Sequence, residues 1–226
     1  MSKIYCFWGW AYSSMKKRVG VFGGMFDPVH NGHFALADAA IKTMCLDKLI
    51  LVPCKQPSHR AACIASAEHR LAMTRLACTG NPKIHVEPIE LERKGISYTI
   101  DTLRQVQLAD SSANLVLVLG VDAFNGFLFW ERWEKILEFC SLFIVSRPET
   151  VLDHKVLEST GLMDRSVSDP EALFTGEAGF YFHCADVNLN YASSVLRQKI
   201  VSSGSLNYAL NPSVLEYIDI HNLYGL

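Results

Sequence analysis

An α/β fold, with a doubly wound parallel sheet flanked by helices and a small C-terminal helical extension, is predicted for this chain of 226 residues by three observations. Short β-rich runs alternate with segments of helical periodicity, which argues for a parallel sheet covered by helices. Four of the runs are almost continuously apolar, as strands buried on both faces are. The first run leads into a glycine-rich turn and a helix start, at the strand end beyond which such sheets bind their ligands.

The elements follow in order. "RVGVF" from Arg18 is the first strand, then "KLILVP" from Lys48, "KIHVEP" from Lys83, "NLVLVLG" from Asn114 and "SLFIVSR" from Ser141. Between them "HFALADAAIKTM", "AEHRLAMTRLAC", "SYTIDTLRQVQL" and "WERWEKILEFC" carry apolar residues at three-to-four spacing and read as helices. The pattern weakens after Pro148, where helix formers mix with turn residues. A last strand, "FYFHCADV", leads to a helix in "NYASSVLRQKIVSSG", with Ser193 or Ser194 as its cap. The final helix, "NPSVLEYIDIHNLYG", starts with Asn211 as cap and Pro212 at the first helical position.

Composition narrows the function classes. The formal net charge is −2, so no global basic field draws the chain to nucleic acid, and any anion site must be local. Seven scattered cysteines without a C-x-x-C suit reduced thiols in a cytoplasmic protein. No window approaches the roughly 18 apolar residues of a membrane span. The aromatic opening, with Phe7, Trp8, Trp10 and Tyr12, lacks the apolar length and cleavage site of a signal peptide. Met15 followed by Lys16, Lys17 and Arg18 resembles a natural start, which leaves residues 1–14 as a poorly ordered extension or the product of a misassigned start codon. Residues 1–17 are thus read as an extension and 18–226 as a single domain.

Three clusters can carry chemistry. "GVFGGMFDPVHNGH" places Gly23 and Gly24 after the strand and His30 and His33 in the first helical turn, where unpaired amides and the dipole favour an anion. Two histidines at this spacing could ligate zinc, but no third and fourth ligand stand nearby. The stretch is neither a Walker A loop nor a G-x-G-x-x-G fingerprint, so backbone and imidazole donors for phosphate remain as the reading, beside a core histidine pair without function. "VPCKQPSHRAA" puts Lys55, His59 and Arg60 in a loop at the next strand's carboxyl end. "ASSVLRQK" offers Ser193 and Ser194 at a helix start and Arg197 one turn in, a cap and surface arginine by itself and an anion clamp beside a phosphate.

These residues carry a resemblance. "GVFGGMFDPVHNGH" resembles the G-x-F-D-P-x-H-x-G-H signature of the adenylyltransferase superfamily, and "YASSVLR" its I-S-S-T-x-I-R motif. With "PCKQPSHR", "ELERKGISYTIDTL", "GVDAFNGFLFWERWEKIL", "SRP" and "NPSVLEYIDIHNLY", the chain from about Arg18 onward resembles bacterial nicotinate-nucleotide adenylyltransferases. The resemblance implies a Rossmann-like fold, transfer of the ATP adenylyl group to nicotinate mononucleotide, deamido-NAD and pyrophosphate as products, and Mg2+ held by substrate phosphates with no metal ligand from the protein. It implies ATP and the mononucleotide as partners, without nucleic acid or membrane, and allows a homo-oligomer.

By the same resemblance His30, His33 and Arg197 are the catalytic residues. Gly23, Gly24, Phe26, Lys55, His59, Arg60, Gly120, Asp122, Ser193 and Ser194 meet ATP, and Thr99, Trp130 and Glu131 meet the mononucleotide. Asp27 is read as a structural acceptor in the loop, since Asp-Pro makes good turns, and Trp133 as a core residue. Two positions depart from the pattern. Ala192 stands where the motif begins with a hydroxyl, and Glu131 stands where relatives often carry an aromatic residue. A glutamate pointing inward would repel an acid substrate. The alternatives are a preference for nicotinamide mononucleotide, another nucleotidyltransferase such as a pantetheine-phosphate enzyme, a non-catalytic nucleotide-binding protein on the same scaffold, and a metal-dependent hydrolase.

Overall fold

Side chains of a strand alternate between the two faces of its sheet, so one continuous apolar run can feed two helix layers. The computed structural model, which describes residues 16–55, 63–147, 150–185, 187, 191–202 and 206–225, is built on that principle. Its elements are β1 (Arg18–Gly24), α1 (Asn31–Thr43), β2 (Lys48–Pro53), α2 (Ala67–Cys78), β3 (Ile84–Val86), α3 (Ile89–Glu92), α4 (Thr99–Ala109), β4 (Asn114–Gly120), α5 (Val121–Asn125), α6 (Trp133–Phe139), β5 (Ser141–Val145), α7 (His154–Ser159), α8 (Ala172–Thr175), β6 (Tyr181–Cys184), α9 (Ser193–Val201) and α10 (Pro212–Ile220). Short 3-10 turns lie at Phe127–Phe129 and Leu223–Gly225.

The six strands pair in the order β3-β2-β1-β4-β5-β6, all parallel. Val21 of β1 stands level with Ile50 of β2 and Leu117 of β4. The chain winds outward in both directions from β1 and β4, so the crevice of the doubly wound sheet opens beyond their carboxyl ends. Phe22, Leu51, Val118 and Phe143 face a core shared with α1, α2, α9 and α10. Val21, Val52, Leu117 and Ile144 face the opposite core, with α4, α5, α6 and α7. The C-terminal helices therefore belong to a main core: Leu196 of α9 and Val214 of α10 are fully buried there.

Several local expectations hold. Asn211 caps α10, its Oδ1 accepting from the Ser213 amide at 2.9 Å, with Pro212 in the first turn. Trp133 packs against the second core. Others are corrected. The helix read from Trp130 begins only at Trp133, because a 3-10 turn precedes Trp130 and Arg132 takes a left-handed conformation, φ 54°. Neither Ser193 nor Ser194 caps α9. Ala192 holds that position without a side-chain bond, and Ser193, the first helical residue, donates its hydroxyl to the Pro28 carbonyl at 3.3 Å. Gly120 occupies the N-cap of α5, with Asp122 in its first turn. The weak stretch after Pro148 contains α7, capped by Asp153, and the single turn α8. The expected extension falls mostly on residues 1–15, outside the described residues.

Replacing Asn211 with Ala removes the cap acceptor of α10. The expected loss is about 1 kcal/mol, read as a lower urea midpoint with an unchanged m-value.

Candidate active site

Beyond β1 the chain must turn within a few residues and deliver two imidazoles to one place. Gly24 permits the turn: a Cβ there would lie 2.8 Å from the ring of Phe26. Phe26, at φ 48°, is buried, and its ring meets those of Phe22 and His33 edge-on. The Asp27–Pro28 peptide is cis. His30 is the N-cap of α1 and His33 its third helical residue, with ring centroids 3.8 Å apart. Between them Gly32 leaves room for the first ring, since a Cβ would stand 3.0 Å from Cε1 and Nδ1 of His30. The glycine of H-N-G-H thus has a steric reason.

The His30 amide donates to Nδ1 of His33 at 3.2 Å, so the ring proton of neutral His33 resides on Nε2. Nδ1 of His30 approaches the His33 amide in the manner of a capping box, yet completes no hydrogen bond of normal geometry. Burial lowers the pKa of His30 to about 4, and the nearby Arg147 guanidinium adds to the effect. His33 keeps one edge open to the cavity, but burial and the adjacent His30 hold it well below the ordinary histidine range. Both rings are therefore neutral at pH 7.

Asp27 organises what lies beneath the loop. It is 1% exposed and accepts from the amides of Ile64 at 2.8 Å and Ala65 at 3.1 Å and from the Tyr224 hydroxyl at 2.8 Å. Its structural reading therefore agrees with the geometry. Arg197 donates from Nη1 to the Asp27 carbonyl at 2.7 Å, while the same nitrogen is 3.8 Å from the carboxylate. Arg70, also buried, donates to the carbonyls of Met25, Cys54 and Ala65. One guanidinium thereby ties the strand ends of β1 and β2 to the segment that leads into α2.

These elements wall a cavity of about 510 Å³ at the carboxyl ends of β1 and β4. Gly23, Gly24, Phe26, His30, His33, Gly120, Asp122, Ser193, Ser194 and Arg197 line it, and so do Thr99, Trp130 and Glu131. A Cβ on Gly23 would meet nothing within 4 Å, so that glycine leaves open space at the cavity wall. Thr99 opens α4, whose N-cap Tyr98 makes no side-chain bond, so the first amides of that helix keep their donors. Trp130, excluded from α6 by the left-handed Arg132, packs against the second core and lies on the cavity wall. Glu131 pairs with Arg132 at 3.6 Å and is half exposed, which removes the repulsion an inward carboxylate would exert.

Of the three residues expected from the loop after β2, one is placed. Lys55 is not part of the cavity wall, because its Nζ donates to the Arg93 carbonyl at 2.7 Å. His59 and Arg60 lie outside the described residues. Two residues that no sequence motif singled out as sites belong to the arrangement, one on the cavity wall and one beneath it. Arg147, ion-paired with Asp122, comes from the end of β5, where the quoted "SRP" was the only signal. Tyr224 reaches Asp27 across 197 positions, a separation no local pattern reports.

Comparison with known proteins gives a consistent picture. Residues 21–199 match the cytidylyltransferase-like family. A protein of Pseudomonas fluorescens described as a probable nicotinate-nucleotide adenylyltransferase is 41% identical over 212 residues, covering 93% of this chain and 98% of the relative. Its Pseudomonas aeruginosa counterpart of the same description is 39% identical over 214 residues, with 93% and 98% covered. Among solved structures, the Plasmodium falciparum nicotinic acid mononucleotide adenylyltransferase complexed with NaAD superposes with a TM-score of 0.71, covering 92% of this chain and 97% of that one. At 18% identity that likeness concerns the fold.

The depressed His30 pKa makes folded stability pH-dependent. Because folding favours the neutral ring, its contribution is complete above the unfolded pKa of about 6.5 and is lost as pH falls toward 4. About 2 kcal/mol is expected to disappear between pH 7 and pH 5. Urea unfolding of wild type and His30→Gln at both pH values checks this, the variant showing the shallower decline.

Proposed function

Since the chain belongs to the cytidylyltransferase-like family, and with its relatives to the nicotinate-nucleotide adenylyltransferases, we propose that it transfers the adenylyl group of ATP to nicotinate mononucleotide, giving deamido-NAD and pyrophosphate. The observation that carries this reading is the convergence of two uncapped or imidazole-capped helix starts, His30 and His33 on α1 and Ser193 and Ser194 on α9, with Arg197 at one cavity wall and Trp130 and Thr99 at another.

The attacking group is the mononucleotide phosphate, whose second pKa near 6 leaves it largely ionised at pH 7, so no protein base is needed. It forms a bond to the α-phosphorus of ATP in line with the bond that breaks to pyrophosphate. No covalent enzyme intermediate is required. The work left to the protein is alignment and stabilisation of charge. His33 Nε2–H and the His30 ring donate to the triphosphate oxygens, and the arrival of that polyanion raises both depressed pKa values toward the protonated, stronger donor. Arg197 and the free amides of Ser193 and Ser194 hold the β and γ groups. Gly120 and Asp122 meet the nucleotide ribose, and His59 and Arg60 are assigned to the ATP phosphates by their motif alone. Arg147 offers a second guanidinium to the phosphates beside His30.

At the other end the Trp130 ring stacks on the pyridine and the Thr99 amide meets its carboxylate. Glu131 contributes its backbone. The half-exposed side chain of Glu131, paired with Arg132, leaves the nicotinate carboxylate unopposed. Magnesium is proposed as a companion of the ATP oxygens, where it would neutralise charge on the departing pyrophosphate. Asp27, the buried carboxylate of the loop, has its oxygens occupied by three donors, and among the described residues no three His, Cys, Asp or Glu side chains gather into a cation cage. The cytoplasm is the proposed compartment, supported by the six described cysteines being free. Among the described residues no helix is long and apolar enough to cross a membrane.

Pyrophosphate release from ATP is expected only with a pyridine mononucleotide present, faster with nicotinate than with nicotinamide mononucleotide. His33→Ala should lower kcat by about 10²–10³-fold, the range for loss of one transition-state donor. Release independent of any mononucleotide, or undiminished in that variant, would sink the proposal. Gly32→Ala, which displaces the His30 ring, should cost about tenfold or more in kcat/KM while leaving thermal melting nearly unchanged. Glu131→Tyr should alter the preference between the two mononucleotides by less than about twofold, because the side chain faces Arg132 and solvent.

A further inference from the structure

The Tyr224 ring arrives at Asp27 by an unusual path. Asn222 and Tyr224 hold left-handed conformations, φ 49° and 66°, followed by Gly225 at φ 90°. Bulky residues seldom adopt that region, so surrounding contacts must hold the turn in place. The turn packs the ring against the first core and directs the Tyr224 hydroxyl to Oδ1 of Asp27 at 2.8 Å. Burial and the Asp27 charge push the phenol well above its usual range, so it remains a donor at every physiological pH.

That bond matters because of how Arg197 is divided. The Asp27 carboxylate already accepts from Ile64, Ala65 and Tyr224. Arg197 is bound to the Asp27 carbonyl at 2.7 Å but stands 3.8 Å from Oδ2, beyond hydrogen-bond reach. A guanidinium offers five N–H donors, and a carboxylate with free lone pairs would draw it into a bidentate pair. Ala65 and Tyr224 together fill Oδ1, the second oxygen such a pair would need, so the bidentate pair does not form. The remaining donors of Arg197, whose side chain is 22% exposed, stay at the cavity wall.

We propose that Tyr224 is a positioning residue for ATP: by occupying Asp27 it keeps Arg197 from collapsing onto the carboxylate and so holds the guanidinium available to the β and γ phosphates. This rests on the phosphate role given to Arg197 above. Without the hydroxyl, Oδ1 regains a lone pair, both carboxylate oxygens are open to the guanidinium, it closes onto them as a bidentate pair, and its reach into the cavity shortens. The consequence is selective. Deamido-NAD, which carries no β or γ phosphate, does not need that reach.

Calorimetric titrations of ATP with magnesium and of deamido-NAD, on wild type, Tyr224→Phe, Arg197→Ala and the double variant, test this. Tyr224→Phe keeps the ring in the core and is expected to weaken ATP about tenfold while deamido-NAD changes less than about twofold. In the Arg197→Ala background the same substitution should weaken ATP no further. Equal weakening of both ligands, a full effect without Arg197, or unchanged ATP affinity in Tyr224→Phe overturns the proposal. Unchanged ATP affinity in Arg197→Ala alone overturns instead the phosphate role on which it rests, and the inference with it.

Discussion

A single buried carboxylate holds this site together. Asp27 has almost no contact with water, and an ionised carboxylate in that position survives only if its oxygens are filled with donors. The donors come from three distant parts of the chain: the segment before α2, the turn after α10, and, at longer range, α9. Each of those parts is fixed by what it gives to Asp27. The loop between β1 and α1, which carries both histidines, is fixed in return. Arg70 completes the arrangement by binding the carbonyls that face inward from the same loops.

The charge under the loop follows from this. Two arginines, Arg70 and Arg197, lie close to one carboxylate, and the hydroxyl of Tyr224 contributes none. The chain is nearly neutral overall, so the positive field is local, concentrated where a polyphosphate would lie. The two imidazoles add donors without adding charge. Neutral rings stacked at 3.8 Å are tolerable in a buried position, whereas two adjacent imidazolium ions would repel.

Some local readings failed for identifiable reasons. The apolar spacing of "WERWEKIL" fits a helix from its first residue, but Phe124 and Phe127 stack into the second core and draw the chain into a 3-10 turn instead. Tertiary packing overrode local periodicity. Ser193 satisfies the statistics of a cap, yet its hydroxyl bonds Pro28 of the opposite loop, a partner 165 positions away. Lys55 stands at the correct strand end, and the rotamer that takes it to Arg93 has no sequence signature. Where a cap is closed by its own neighbours, as at Asn211 and Ser213, the local reading was sufficient.

The sequence alone determined the alternation of strands and helices, the burial of four strands on both faces, and the H-x-G-H loop at the end of the first strand. Those features are written in residue spacing, turn chemistry and capping, which act over a few positions. Only the tertiary structure decided that Tyr224 and Arg197 meet at Asp27, that Arg147 enters the cavity, and that Glu131 turns toward Arg132. A buried donor or acceptor is satisfied by whichever group the fold brings within about 3 Å. Along the chain that partner can be one residue away or nearly two hundred.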